Sequence, residues 1–167
     1  MNPSRGRPIA LIGFIGSGKS TVAFALAALL GRMAIDLDRV VENEAGDAIA
    51  DIFAQEGEAG FRRREADALR EQLEGPVIVA LGGGAVVDDA SWQLVKDSAT
   101  SIWLDAPLDV LWQRAGEDPL RPLSLDRREF DKVFRSRRRR YAECEHRLDA
   151  SRPVLEVAEE IALLCGG

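Results

Sequence analysis

Apolar residues fall in short continuous runs, separated by longer stretches where they recur every three or four positions. Ile9 to Ile12 is one such run and stops at Gly13, the pattern of a strand buried on both faces. Residues 18–30 then read as a helix closed by Gly31. Residues 33–38, 77–81 and 101–104 predict three further strands, and 147–149 a weaker last one. Between them, Asp47 is placed to cap a helix carrying Ile49, Ile52 and Phe53, and residues 61–73 show helical spacing before Gly75. Asp88 is placed to open another helix, and so is the Asp105, Ala106, Pro107 stretch. Strands and helices alternating at these lengths predict a parallel sheet with helices on both faces. Residues 119–126, with two prolines and Arg121, fit neither element and predict a mobile loop.

A chain of 167 residues with 46% hydrophobic content is the size of one domain with a continuous core. Its net charge of -6 argues against a nucleic-acid surface. Of the basic residues only Lys19, Lys96 and Lys132 are lysines, so arginine carries nearly all the positive charge, a bias that suits two-pronged gripping of phosphate or carboxylate. Codon preference explains such a bias equally well, so individual arginines have to be argued by position. Cys144 and Cys165 lack CxxC spacing and His146 is the sole histidine, which leaves no set of soft metal ligands. The start MNPSRGRP has no long apolar core, and no apolar run approaches the roughly 20 residues of a spanning helix; a cytoplasmic protein is expected.

Residues 13–20, GFIGSGKS, fit GxxxxGK[ST] at each fixed position, between a predicted strand and a predicted helix. Glycine lets that backbone curl so that its N–H groups converge, and the helix adds the positive end of its dipole. Gly16, Ser17, Gly18, Lys19, Ser20 and Thr21 are therefore expected to hold a nucleotide. Lys19 would bridge its terminal phosphates and the Ser20 hydroxyl would be a ligand of Mg2+. Switches and motors share this loop, so it does not by itself make a kinase.

Asp36 and Asp38 stand two apart at the end of the second predicted strand, which would project both carboxylates to one face. One is expected near the metal and the other near an attacking hydroxyl, although aspartates there also serve simply to cap a helix. Arg62 and the run Gly82, Gly83, Gly84 would lie on the same carboxyl edge of the sheet.

With GFIGSGKST at 13–21, DLD at 36–38, IFAQEGEAGFRRRE at 52–65, GGG at 82–84 and RPL at 121–123, the chain resembles the shikimate kinases over almost its whole length. The resemblance implies a three-layer α/β/α P-loop fold of the nucleoside-monophosphate-kinase type. It would have a five-stranded parallel sheet and form one domain over 1–167, with a lid at about 114–126. It implies transfer of the ATP γ-phosphate to the 3-hydroxyl of shikimate, in aromatic amino-acid biosynthesis, by a monomer. On this basis Asp38 would be the base and bind substrate hydroxyls, and Asp36 would support Mg2+ with Ser20. Arg62, Gly82, Gly83, Gly84 and Arg137 would bind shikimate. Arg121 would close over the nucleotide and stabilise the transferring phosphoryl group, helped by Arg114, while Arg152 would pack on the adenine. Arg137 is singled out of the basic run at 135–140 because it stands four residues before Tyr141; the family's usual Pro-Leu before that tyrosine is here Arg139-Arg140. The alternatives are a kinase of another hydroxylated acid such as gluconate, which the arginine set disfavours, and a nucleotide-binding module without catalysis, which both aspartates disfavour.

Overall fold

The computed structural model describes residues 6–118 and 125–166. Its centre is a parallel sheet of five strands, β1 (Ile9–Ile12), β2 (Ala34–Asp36), β3 (Ile78–Ala80), β4 (Thr100–Asp105) and β5 (His146–Asp149), in the order β2-β3-β1-β4-β5. Helices α1 (Lys19–Leu30), α2 (Leu37–Ala45), α3 (Ile49–Gln72), α4 (Asp89–Ser98), α5 (Leu108–Glu117), α6 (Arg127–Tyr141) and α7 (Val154–Gly166) connect and follow the strands.

Because successive residues of a strand face opposite ways, β1 splits its apolar run between two cores. Ile9 and Leu11 join Ile78, Ala80, Ile102 and Leu104 under α1 and α7. Ala10 and Ile12 join Val79, Leu81 and Trp103 under the other helices, with Phe14 and Phe130. This gives the three layers expected. β1 pairs with β3 on one side and β4 on the other, so the direction of winding reverses at β1. The crevice such a reversal opens lies at the strands' carboxyl ends, where Gly13 to Ser20 follow β1.

Two local expectations are corrected. The second strand ends at Asp36, not at residue 38, because the Asp36 carboxylate accepts from the N–H groups of Asp38 (3.0 Å) and Arg39 (3.4 Å) and so starts α2. Asp47 caps nothing. Helix α3 starts after Ala48 without a side-chain cap of its own, and its Ile49 N–H donates instead to Glu42 Oε2 on α2, 3.3 Å away. The two helices read around residues 49–53 and 61–73 are present as two helical segments of α3, separated at Gly57, whose φ of 71° and ψ of 179° are not helical. Asp88 caps α4 as expected, through Ser91 N–H at 2.8 Å. Of the expected lid, residues 114–117 belong to α5, and Asp126 with Glu129 forms a capping box that opens α6.

Candidate active site

The phosphate loop takes its shape from bare backbone. Gly16 and Gly18 adopt φ of 85° and 84°, a region that costs other residues about 1–2 kcal/mol. A β-carbon at Gly16 would also come within 2.5 Å of the Leu111 carbonyl oxygen on α5, and one at Gly13 within 2.7 Å of the Leu104 carbonyl oxygen. The loop is thus pressed against two main-chain segments. Lys19 leans back across it, its Nζ donating to the carbonyls of Gly13 (2.7 Å) and Phe14 (3.1 Å). That posture holds an ammonium over the mouth of the loop, with Ser17 buried beneath.

Asp36 does two things at once. While its Oδ1 caps α2, its Oδ2 accepts a 2.6 Å hydrogen bond from Ser20 Oγ at the start of α1. The hydroxyl and carboxylate are hard oxygen donors side by side, the chemistry magnesium prefers. Among the described residues there is no group of three or more acidic, histidine or cysteine side chains that could hold a metal without the help of other ligands. A magnesium ion here would need phosphate and water oxygens to complete its shell, which is its habit in kinases.

Across from the loop, each of the three glycines after β3 faces a different functional side chain. A β-carbon at Gly82 would lie 2.7 Å from Asp38 Oδ1 and 3.3 Å from Glu65 Oε2. At Gly83 it would lie 3.0 Å from Arg137 Nη1 and 3.6 Å from both the Tyr141 hydroxyl and the Gly13 carbonyl. At Gly84 it would meet Arg62 Nη2 at 2.4 Å. The run is a floor on which a carboxylate and two guanidinium groups rest against main chain. The Gly13 contact joins that floor to the phosphate loop.

Asp38 reaches this place from the first turn of α2, not from a strand. Strand alternation, expected to bring Asp36 and Asp38 to one face, is therefore not what places them. Arg62 projects from α3, and Arg137 from α6 with its guanidinium 5.7 Å from the Phe14 ring. Arg140, Arg135 and Arg138 of the same basic run point elsewhere: to Asp89, to Asp131 at 2.9 Å, and over the Phe134 and Trp103 rings.

Glu65 is the residue that sequence reasoning passed over. It is 3% exposed, and its Oε1 accepts a 2.6 Å charged hydrogen bond from Arg62 Nη1. Its enclosed Oε2 takes no hydrogen bond from the described residues. Burial pushes this carboxyl above the usual glutamate range; Arg62 opposes the rise and Asp38 adds to it. The signal was present as the three-residue spacing from Arg62 on one helix, but four charged residues in a row, 62–65, resemble a solvated face. Tyr141, used only as a landmark, is also in the site, donating from its hydroxyl to the Gly83 carbonyl at 2.5 Å.

At the far end of the crevice Arg114 on α5 donates to the carbonyls of Ala150 (2.8 Å) and Ser151 (3.4 Å). Arg152 turns back to Glu160 on α7 and to the Asp149 carbonyl. Arg121 lies outside the described residues.

A family model described as shikimate kinase matches residues 15–164. A shikimate kinase of Salinibacter ruber is 42% identical over 164 residues, covering 90% of this chain and 80% of that protein. Among solved structures, a shikimate kinase from Acinetobacter baumannii in complex with shikimate superposes with a TM-score of 0.89 at 31% identity, covering 95% of this chain and 92% of that one. A shikimate kinase from Aquifex aeolicus gives 0.83 at 33% identity, over 93% and 94%.

Proposed function

The chain belongs to the shikimate kinase family, and from that premise we propose how its residues divide the work of phosphoryl transfer. The enzyme phosphorylates shikimate to shikimate 3-phosphate with ATP as co-substrate, which sets aside the gluconate and non-catalytic alternatives. The observation that carries the division of labour is the convergence of Asp38, Arg62 and Arg137 on the glycine floor, one step from the phosphate loop.

In this reading the backbone N–H groups of Gly16 to Thr21 hold the nucleotide phosphates. The Lys19 ammonium exchanges its carbonyl partners for phosphate oxygens, keeping its place over the loop. Ser20 and Asp36 hold magnesium, which when bound neutralises phosphate charge. Arg62 and Arg137 grip the shikimate carboxylate in the two-pronged manner open to guanidinium groups. Glu65 keeps Arg62 in position by their hydrogen bond. Asp38 accepts hydrogen bonds from the substrate hydroxyls and takes the proton of the attacking one. Gly82, Gly83 and Gly84 let these groups and the sugar-like ring come close to main chain. Arg121 stabilises negative charge on the transferring group, and Arg152, with Arg114 beside it, borders the adenine.

We take the enzyme to act as a single-domain cytoplasmic monomer with no nucleic-acid or membrane partner. No helix among the described residues is long and apolar enough to cross a membrane, and the net charge of -6 disfavours nucleic acid. A coupled assay of ADP release tests the reading. Turnover is expected to require shikimate and to be absent with gluconate as acceptor; release of ADP at the same rate without shikimate would sink it.

A further inference from the structure

Arg137 and Tyr141 stand four residues apart on α6, so they share one face of the helix. The tyrosine is fully buried, its ring 6.0 Å from that of Trp103. Its hydroxyl donates to the Gly83 carbonyl at 2.5 Å. Around the same Gly83, a β-carbon would have Arg137 Nη1 as its nearest neighbour at 3.0 Å and the tyrosine oxygen at 3.6 Å. The phenol oxygen therefore sits where the glycine floor and the guanidinium of Arg137 meet. Burial pushes the phenol up to about 12, with the neighbouring Arg137 opposing the rise, so the hydroxyl stays protonated and able to donate at any physiological pH.

Two contacts near the end of α6 pull in the same direction. Trp92 Nε1 donates to Glu143 Oε2 at 2.6 Å, and Arg140 pairs with Asp89. Both Trp92 and Asp89 belong to α4, which follows the glycine turn. The end of α6 and the start of α4 are thereby clasped, and the Tyr141 hydrogen bond is the inward part of that clasp. Because a peptide is planar, holding the Gly83 carbonyl also fixes the direction of the Gly84 N–H, next to the place where Arg62 lies.

We infer that Tyr141 is a positioning residue for the acceptor: by joining α6 to the Gly83 carbonyl it sets the place of the Arg137 guanidinium relative to the floor. This rests on the reading of Arg137 as a shikimate ligand. Phe14, packed under Arg137, supports the guanidinium from below.

The test is a two-residue cycle of Tyr141→Phe, Arg137→Ala and the double variant, read as KM for shikimate, KM for ATP and kcat. The phenyl ring keeps the packing on Trp103. Tyr141→Phe is expected to raise the shikimate KM roughly 3- to 10-fold, the range for one lost hydrogen bond. The ATP KM should hold, and the Arg137→Ala background should erase most of the effect. For a variant of low thermal stability, calorimetric titration with shikimate in the cold gives the same comparison. A shikimate KM that does not move, one that moves in step with the ATP KM as in general loosening, or effects that multiply in the double variant would each overturn the inference. If Arg137→Ala itself left the shikimate KM at the wild-type value, the underlying reading of Arg137 would fail first.

Discussion

The phosphate loop and the acceptor floor both depend on glycine, but their glycines face different neighbours. Gly13 and Gly16 are pressed against the carbonyl oxygens of Leu104 and Leu111, which belong to β4 and α5 and cannot move without the fold moving. Gly82 and Gly84 are pressed against the ends of Asp38 and Arg62, which can swing aside. The first region is shaped by backbone against backbone and comes ready to receive an anion. The second is assembled from side chains sent in by α2, α3 and α6, and its accuracy depends on what holds those side chains. Binding a phosphate chain needs converging N–H groups, which a contiguous loop supplies. Selecting one hydroxylated acid needs charges at set separations, which only the tertiary fold can supply.

Paired alanine substitutions should separate the two regions. Gly16→Ala forces a side chain into a left-handed conformation at a cost of about 1–3 kcal/mol, before adding the collision with Leu111. It should lower the unfolding midpoint and abolish turnover together. Gly84→Ala has the opposite profile. By displacing Arg62 it should raise the shikimate KM roughly 10- to 100-fold, the worth of a charge-assisted hydrogen bond, with the thermal midpoint close to wild type. If Gly84→Ala unfolded the protein as readily as Gly16→Ala, the distinction between a backbone-built and a side-chain-built region would be wrong.

A smaller effect concerns pH. Folded Glu65 holds its proton to higher pH than the unfolded chain does, because burial outweighs the help of Arg62. Its contribution to stability is therefore complete below the ordinary glutamate value and is lost as pH rises through the folded one. Denaturant unfolding followed from neutral pH down towards the ordinary value of 4.5 should show wild type gaining stability relative to Glu65→Gln. A flat difference, or one of opposite slope, would mean that Arg62 and its neighbours outweigh the burial.

How much of this was legible in the sequence follows from the same contrast. The phosphate loop was readable as a motif, since Gly13 to Ser20 are contiguous, although its packing on Leu104 and Leu111 was not. The alternation of strands and helices was readable from the chain itself, because β1 and β3 are unbroken apolar runs buried on both faces and β4 carries the apolar stretch Ile102 to Leu104. Asp38, Arg62 and Arg137, singled out in the sequence, do meet at the glycine run, but the geometry of that meeting was not legible. Asp36 and Asp38 were named as a pair on one strand, whereas the cap that Asp36 makes ends the strand and puts Asp38 on a helix. Asp47 looked like a cap, yet Glu42, seven residues before Ile49, took that role; local patterns do not register competition across a turn. Glu65 stayed hidden because its burial depends on Gly82 and Asp38, which are distant in the chain. Arg152 is drawn to Glu160 by a helix whose facing surface cannot be seen from the arginine's neighbours in sequence.

The most direct test of the account compares Asp38→Asn with Lys19→Ala under saturating shikimate. If Asp38 takes the proton of the attacking hydroxyl from its place beside Gly82, Asp38→Asn should lower kcat about 10²- to 10⁴-fold while leaving ATP affinity near wild type. Lys19→Ala should damage both. Wild-type kcat in Asp38→Asn, or a loss of ATP affinity equal to that of Lys19→Ala, would contradict the division between a loop that holds phosphate and a floor that directs where it goes.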